Sequence, residues 1–188
     1  MKDADDLFTK VKVPYLVESG TLLGAVRHQG IIPIDDDLDI QVWEADEAAL
    51  VQNVFPEFKK LGYKWWACDF GYKVAYSNRD SFPFMDIFIV HNDGVRTHTK
   101  DGSFKNCHYL LSELYPITRY KFGDTEVNGP RDPTGFLNRA YKEWQKKWIP
   151  APSHKNMFCT YPGFRPQEML PEHFFPAQPT GPLLQTVM

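Results

Sequence analysis

Four aspartates crowd one short stretch of this sequence, at Asp35, Asp36, Asp37 and Asp39. The segment LDIQVW, which contains Asp39, predicts a strand. Side chains two positions apart on a strand point to the same face, so Asp37 and Asp39 should lie side by side. Their charges then repel, and both carboxylates resist losing water. A divalent cation offsets both penalties, and hard oxygen ligands suit Mg²⁺ or Mn²⁺. For Asp35 and Asp36 alone, a solvated loop is the simpler interpretation.

A third carboxylate, Asp86, interrupts the apolar run FPFMDIFIV, which predicts another strand. An unpaired carboxylate inside such a strand would be costly. If the two strands are neighbours, Asp86 points at Asp37 and Asp39 and completes a metal-binding site with them. The alternative is a structural acid that pairs with a buried Arg or Lys.

A glycine-containing turn precedes the aspartates in the segment SGTLLGAVRHQG. The turn follows a predicted strand and opens a short predicted helix, so the free backbone N–H groups of Gly20 and Thr21 could hold phosphate oxygens. Gly24 would allow close approach of the chain or of a ligand. Arg27, next to His28, could bind a phosphate through both arms of its guanidinium. The segment is neither a P-loop nor a GxGxxG motif. The turn becomes informative only in combination with the aspartates that follow it.

The composition narrows the possible classes of function. The 188 residues are 43% hydrophobic, enough for one compact domain. A net charge of −3 and a pI of about 6.1 argue against binding to nucleic acid or to an anionic membrane. The start, MKDADDLFTK, contains no apolar run for a signal peptide or anchor, so we expect a cytoplasmic protein without a membrane segment. The lumenal Golgi part of a longer chain is the alternative.

The remaining pattern predicts an α/β (α+β) domain with a mixed central sheet and helices mainly on one face. Helices are predicted over residues 3–10, 44–62 and 132–148, and a turn at 92–94. We place the domain at residues 1–150, followed at 151–188 by a Pro-rich, irregular tail that packs on it or extends from it. Strands and hairpins are predicted in VPYLVE, LDIQVW, YKWWAC, YKVAYS, FPFMDIFIV and ITRYKFGDTEVNGP.

These motifs together resemble the nucleotidyltransferase superfamily, with its Gly-Ser/Thr turn, its Asp-x-Asp on the next strand and a third acid on a later strand. Within that superfamily the sequence resembles the LicD family, which includes bacterial phosphocholine transferases and the fukutin-related proteins. The segment YLVESGTLLGAVRHQGIIPIDDDLDI matches the central motif almost throughout, and the resemblance extends from Tyr15 to Trp144. The chain departs from the family at Ile34, where Trp is usual.

The resemblance implies a nucleotidyltransferase-like fold and a metal-dependent phosphotransferase with Mg²⁺ or Mn²⁺. Such an enzyme moves a phosphorylated alcohol, such as phosphocholine or ribitol phosphate, from a CDP-linked donor to a sugar or glycan hydroxyl. Asp37, Asp39 and Asp86 become the catalytic, metal-binding acids, and Gly20 and Thr21 the phosphate-contacting turn. Two alternatives stay open: transfer of NMP from an NTP, and a non-catalytic nucleotide-binding domain. The donor alcohol, the acceptor, the general base and the oligomeric state also stay open.

Further side chains are candidates for substrate binding. Lys73, on a predicted hairpin strand, could contact the donor phosphate, or could simply extend into solvent as long lysines usually do. Trp43, Tyr72 and Tyr76 could stack on a base. Stacking alone does not select cytosine, because every base has a π-face.

Overall fold

The computed structural model of the protein describes residues 1–33, 35–78, 83–148, 167–170 and 174. Its α-helices are α1 (Lys2–Val11), α2 (Ser19–His28), α3 (Glu47–Ala49), α4 (Phe55–Lys60), α5 (Leu111–Leu114) and α6 (Thr134–Ala140). Its strands are β1 (Tyr15–Val17), β2 (Asp37–Trp43), β3 (Tyr63–Cys68), β4 (Gly71–Tyr76), β5 (Phe84–Asn92), β6 (Thr97–Thr99), β7 (Thr118–Phe122), β8 (Thr125–Gly129), β9 (Lys147–Trp148) and β10 (Gln167–Glu168). No helix in the described part of the chain is long and apolar enough to cross a membrane.

A six-stranded mixed sheet forms the centre of the fold. Its main path runs β1-β2-β5-β4-β3, and β6 pairs with the end of β5. The β2–β5 pair is parallel, whereas the other pairs are antiparallel. A parallel pair needs a long crossover connection, which here contains a helical stretch and the β3–β4 hairpin. Strand β5 is buried at seven consecutive positions, as expected for a strand at the centre of such a sheet.

The crossover begins with a helical stretch whose turns change type. A 3₁₀ turn (Glu44–Asp46) leads into α3, a π-helical turn (Leu50–Val54) follows, and α4 completes the stretch. Pro56, near the start of α4, has no N–H to donate to the carbonyl four residues earlier, and the π-helical turn accommodates that missing bond. The helix predicted over 44–62 is therefore present to Lys60, but it is irregular.

Aromatic side chains fill the face of the sheet that packs against this helical stretch. The Phe55 and Trp65 rings stack with centroids 4.4 Å apart, and Tyr72 packs edge-on against Phe55 at 5.0 Å. Tyr63 and Tyr76 stack beside them at 4.4 Å. Because side chains alternate along β3 and β4, the residues between these aromatic positions point to the other face. That second face is where the polar side chains gather.

The segment from 118 to 148 adds a hairpin and a short helix. Strands β7 and β8 pair as the sequence predicts. The predicted helix over 132–148 is wrong in its extent, because α6 ends at Ala140 and Tyr141 is extended (φ −132°, ψ 108°). In the segment after α6, the Arg27 guanidinium donates hydrogen bonds to the carbonyls of Trp144 and Lys147 at 2.6 and 3.1 Å. This segment is therefore held by a distant side chain and not by the hydrogen bonds of a longer helix.

The predicted fold class is confirmed: the chain is a mixed α+β structure with a central mixed sheet and helices. The hairpins β3–β4 and β7–β8 and the turn after β5 also follow the prediction. In the region predicted to be an irregular tail, β10 pairs with β9, so that prediction is wrong for residues 167 and 168. The domain boundary at 150 lies outside the described residues and stays a prediction.

A polar network ties α1 to strands β1 and β7. The Asp5 carboxylate accepts two hydrogen bonds from the Arg119 guanidinium, at 2.7 and 2.8 Å, and one from the Tyr15 hydroxyl at 2.6 Å. Burial acts to raise the pKa of Asp5, but the hydrogen bonds from Arg119 and Tyr15 outweigh it and hold the pKa below its usual value. The ionised carboxylate therefore stabilises the fold.

Replacing this acid should cost stability in a pH-dependent way. We expect Asp5→Asn to lower the free energy of unfolding by about 1–3 kcal/mol at pH 7, since Arg119 and Tyr15 lose a charged acceptor. A carboxyl whose pKa is depressed by folding stabilises above its unfolded pKa and loses that effect as the pH falls through its folded pKa. The difference from wild type, measured by urea unfolding, should shrink below about pH 4.

The neighbouring Asp6 supplies the control, because it forms an exposed ion pair with Lys2 and is itself 60% exposed. Asp6→Asn should change the stability by less than about 0.5 kcal/mol. A difference between wild type and Asp5→Asn that did not vary from pH 3 to pH 7 would contradict the role given to the ionised carboxylate.

Candidate active site

Charged side chains form one row across the central sheet. Asp39 on β2 lies opposite Asp86 on β5, and Asp86 lies opposite Lys73 on β4. On the other side of β2, the backbone N–H of Glu18 donates to the Asp39 carbonyl at 3.0 Å. Directly opposed residues on paired strands present their side chains to the same face. This register therefore places all four side chains on the face opposite the aromatic packing.

Asp37, Asp39 and Asp86 form a compact group that we call the acid trio. One carboxylate oxygen from each residue lies within 4.8 Å of the others, and the three residues are only 5–8% exposed. Burial, together with the charges of Asp37 and Asp86, raises the pKa of Asp39 well above its usual value. The structure thus brings together the three acids named from the sequence. Their oxygen-only set of donors could hold a hard divalent cation.

The start of α2 positions one acid of the trio. The Gly20 N–H donates to Asp39 Oδ2 at 3.0 Å, and the Thr21 hydroxyl accepts the Asp39 N–H at 2.7 Å. From the sequence we expect free N–H groups at this turn for phosphate, whereas the Gly20 N–H is bound to a carboxylate. A negative charge at a helix N-terminus is favourable because of the helix dipole. Gly20 and Thr21 therefore fix the place of Asp39.

Asp35 and Asp36 extend the acidic group beyond the trio. A Cβ on Gly20 would lie 2.9 Å from Asp35 Oδ2, so a larger residue there would displace this carboxylate. Oxygens of Asp35, Asp36 and Asp37 also lie within 4.8 Å of one another. Both residues lie outside the helices and strands, as the loop interpretation predicts, but they are half-buried and not fully solvated. They increase the negative charge around Asp37.

Lys73 supplies a positive charge on this face. Its ammonium lies 2.6 Å from Asp86 Oδ1, and the side chain is 23% exposed. The same ammonium lies 4.0 Å from the centroid of the Phe84 ring and 5.3 Å from that of Phe70. Lys73 is therefore not the solvated side chain given as the alternative. The ion pair given as the alternative for Asp86 is present in addition to its place in the trio.

The other named residues of α2 make contacts within the protein. A Cβ on Gly24 would lie 2.4 Å from the Gly30 carbonyl oxygen, so Gly24 permits close approach of the chain itself. His28 is 2% exposed, and its Nδ1 lies 3.3 Å from Arg27 Nε. Burial lowers the pKa of Arg27 to about 10, which still leaves the guanidinium charged at neutral pH. Since Arg27 also binds the two carbonyls beyond α6, its contact with phosphate stays a prediction.

Two buried polar side chains of this face were not identified from the sequence. Glu18 is 1% exposed, and its Oε2 atom has no hydrogen-bond partner within the described part of the chain. The side-chain amide nitrogen and oxygen of Gln41 likewise have no hydrogen-bond partner among the described residues. Alternation along β2 was the available signal for Gln41, because Asp37, Asp39 and Gln41 occupy every second position. That Glu18 lies on this face can be recognised only when the β1–β2 register is known.

The structure separates the aromatic residues considered for base stacking. Tyr72 and Tyr76 lie on the face that packs against the helical stretch, so for these two the expectation is wrong. Trp43 lies on the same face as the acid trio, by alternation along β2. Trp66, directly opposite Lys73, is on this face too and was missed. Its position could be found only from the pairing of β3 with β4.

A family model described as LicD/FKTN/FKRP, nucleotidyltransferase domain, matches residues 12–132. This range covers more than half of the 188 residues and includes the acid trio and Lys73. The chain belongs to the LicD/FKTN/FKRP family.

The chain is similar to three proteins and spans only part of the length of each. An uncharacterized protein of Rickettsia prowazekii is 44% identical over 194 residues, covering all of this chain and 70% of that protein. One from Rickettsia typhi is 42% identical over 191 residues, covering all of this chain and 60% of that protein. The lipopolysaccharide cholinephosphotransferase LicD of Haemophilus influenzae is 39% identical over 110 residues, covering half of this chain and 40% of that protein. Membership of the LicD family suggests a transferase.

Glu18 allows a test of the electrostatics of this face. Burial raises the pKa of Glu18 to about 8. An acid whose pKa is raised by folding contributes stability below its unfolded pKa, and this contribution is lost as the pH rises through the folded value. Glu18→Gln keeps the shape and cannot ionise, so the variant should gain stability relative to wild type between about pH 5 and pH 8. Thermal unfolding in EDTA across this range measures the gain.

Glu44→Gln, at an exposed carboxylate just beyond β2, is the control and should follow wild type at every pH. If the melting temperatures of Glu18→Gln and wild type differed by the same amount at every pH from 5 to 8, the carboxyl would not be buried in the way described.

Proposed function

We propose that this protein is a metal-dependent phosphotransferase that moves a phosphorylated alcohol from a CDP-linked donor to a sugar or glycan hydroxyl. The observation that carries the proposal is the acid trio, in which three buried carboxylates meet on one face of the sheet in a chain of this family. The Haemophilus influenzae relative is named a lipopolysaccharide cholinephosphotransferase. Its name supports phosphocholine as the transferred group and a carbohydrate as the acceptor.

The donor atoms of the acid trio suit Mg²⁺ or Mn²⁺. Mg²⁺ prefers carboxylates and substrate phosphates in proteins, and the trio offers oxygens within 4.8 Å of one another. The raised pKa of Asp39 reflects burial and repulsion that a cation would relieve. A divalent cation held by Asp37, Asp39 and Asp86 would neutralise charge on the donor's phosphates.

In the proposed reaction, the acceptor hydroxyl oxygen attacks the phosphorus that carries the alcohol. A P–O bond to the acceptor forms, the bond from that phosphorus to the bridging oxygen breaks, and CMP leaves with the bridging oxygen. The proton of the hydroxyl passes to a carboxylate of the acid trio. Gly20 and Thr21 hold Asp39 in place during this step, and Lys73 supplies positive charge for the donor phosphate.

A donor screen tests this reaction directly. CDP-choline, CDP-ribitol and CDP-glycerol are each incubated with the protein, a panel of saccharide acceptors, and Mg²⁺ or Mn²⁺. We expect release of CMP that depends on both the acceptor and the metal, and a higher melting temperature with CDP than with UDP or ADP. Release of pyrophosphate from CTP, without turnover of any CDP-alcohol, would contradict phosphotransfer and favour transfer of a nucleotide.

A single substitution tests the metal site. Asp39→Asn removes a buried charge and keeps an oxygen that can accept the Gly20 N–H, so its melting temperature in EDTA should rise. The stabilisation that Mg²⁺ gives to wild type should disappear in this variant, and CMP release should fall by about 100-fold or more. Differential scanning calorimetry and the donor assay measure the two effects.

Asp124→Asn, at an exposed carboxylate in the turn between β7 and β8, is the matched control and should behave as wild type. Equal stabilisation of wild type and Asp39→Asn by Mg²⁺ would place the cation elsewhere.

A further inference from the structure

The Lys73 ammonium and a bound metal ion would compete for the carboxylate of Asp86. The ammonium lies 2.6 Å from Asp86 Oδ1, while an oxygen of the same residue belongs to the acid trio. A cation bound by the trio would lie close to this ammonium, and two positive charges at that separation repel strongly in a site shielded from water. The ion pair and the metal site therefore compete.

We propose that Lys73 is an exchangeable counter-ion: it pairs with Asp86 until a divalent cation binds the acid trio, and it then binds the donor's phosphate. The inference rests on the proposed function, because it needs both a metal and a phosphate-containing donor. It goes further by assigning one lysine to two successive partners. The lysine then offsets part of the negative charge of the acid trio before the ligands bind, and part of the donor's charge afterwards.

The surroundings of Lys73 suit a side chain that changes its partner. Its ammonium lies over the Phe84 ring at 4.0 Å and near the Phe70 ring at 5.3 Å, and aromatic faces attract cations without forming an ion pair. The ammonium therefore keeps part of its stabilisation when it leaves Asp86. With 23% of the side chain exposed, the lysine stem has room to move. A lysine is a compact charge on a flexible stem, unlike the rigid fork of an arginine.

The exchange links the binding of metal to the binding of donor. A metal frees the ammonium for the phosphate, and a bound phosphate draws the ammonium away from Asp86. By linkage, each ligand must raise the affinity for the other by the same factor. Without the lysine, the metal would bind more tightly by itself, and only the coupling that comes from direct contact between the metal and the donor's phosphates would remain.

Mn²⁺ and CDP are the probes for this exchange. The affinity for Mn²⁺ is measured by electron paramagnetic resonance, with and without CDP, in wild type and in Lys73→Met. Without CDP, we expect the variant to bind Mn²⁺ about 5-fold more tightly than wild type. CDP should tighten Mn²⁺ binding about 10-fold in wild type and by a clearly smaller factor, about 3-fold, in the variant. Lys121→Met, on the exposed side of β7, changes the same charge away from the site and should match wild type.

A second measurement distinguishes displacement of the lysine from the simple loss of a charge. An ammonium held in an ion pair exchanges its protons slowly enough to give a ¹⁵N-resolved lysine signal, which is assigned here by its absence from Lys73→Met. Mg²⁺ alone should broaden or remove this signal, and CDP added afterwards should restore it at a new position. A signal unchanged by Mg²⁺ would show that Lys73 stays on Asp86 and would overturn the exchange.

The outcomes separate this inference from the proposed function. If wild type and Lys73→Met bind Mn²⁺ with equal affinity, or gain equally from CDP, the exchange is wrong and the metal site stands. If wild type binds no Mn²⁺, both proposals are wrong. Should Lys73→Met fold poorly, Lys73→Gln can still donate a hydrogen bond to Asp86 without a charge, and the same tighter binding of Mn²⁺ is expected.

Discussion

The parallel pairing of β2 with β5 is the constraint on which the candidate site depends. Its register sets Asp39 opposite Asp86, and alternation along β2 adds Asp37 to the same face. Because the two strands are central in the sheet, the three carboxylates are buried as well as adjacent. Repulsion and loss of hydration then act together, and both must be offset by groups close at hand.

Three neighbours moderate this accumulation of charge. The N-terminus of α2 donates the Gly20 N–H to Asp39, and the Lys73 ammonium pairs with Asp86. Glu18 adds little negative charge below its pKa of about 8, which burial has raised. The balance still leaves three acids against one lysine at close range. The negative charge that remains destabilises the unliganded protein, and it is the basis on which a cation is proposed for this site.

The sequence was informative where the pattern is local. The spacing of Asp37 and Asp39 and the apolar run around Asp86 are short-range signals, and they led to three side chains that do meet. Partners across strands were not accessible in this way, because a pairing register depends on the whole sheet. The ion pair of Lys73 and the face taken by Tyr72 could therefore not be assigned. The helix predicted over 132–148 is too long for a similar reason, since the segment after α6 makes contacts with the distant Arg27 that a local pattern does not show.

Arg27 donates hydrogen bonds to the carbonyls of Trp144 and Lys147. The segment that contacts helix α2 therefore ends later in the chain than the match to the family model. Similarity to the family model ends at residue 132, so a chain shortened to that point would retain every acid of the trio. It would also leave a half-buried guanidinium without two of its acceptors, on the same helix whose first turn holds Asp39. A unit that keeps both of these hydrogen bonds therefore extends beyond the range matched by the family model, at least to Lys147.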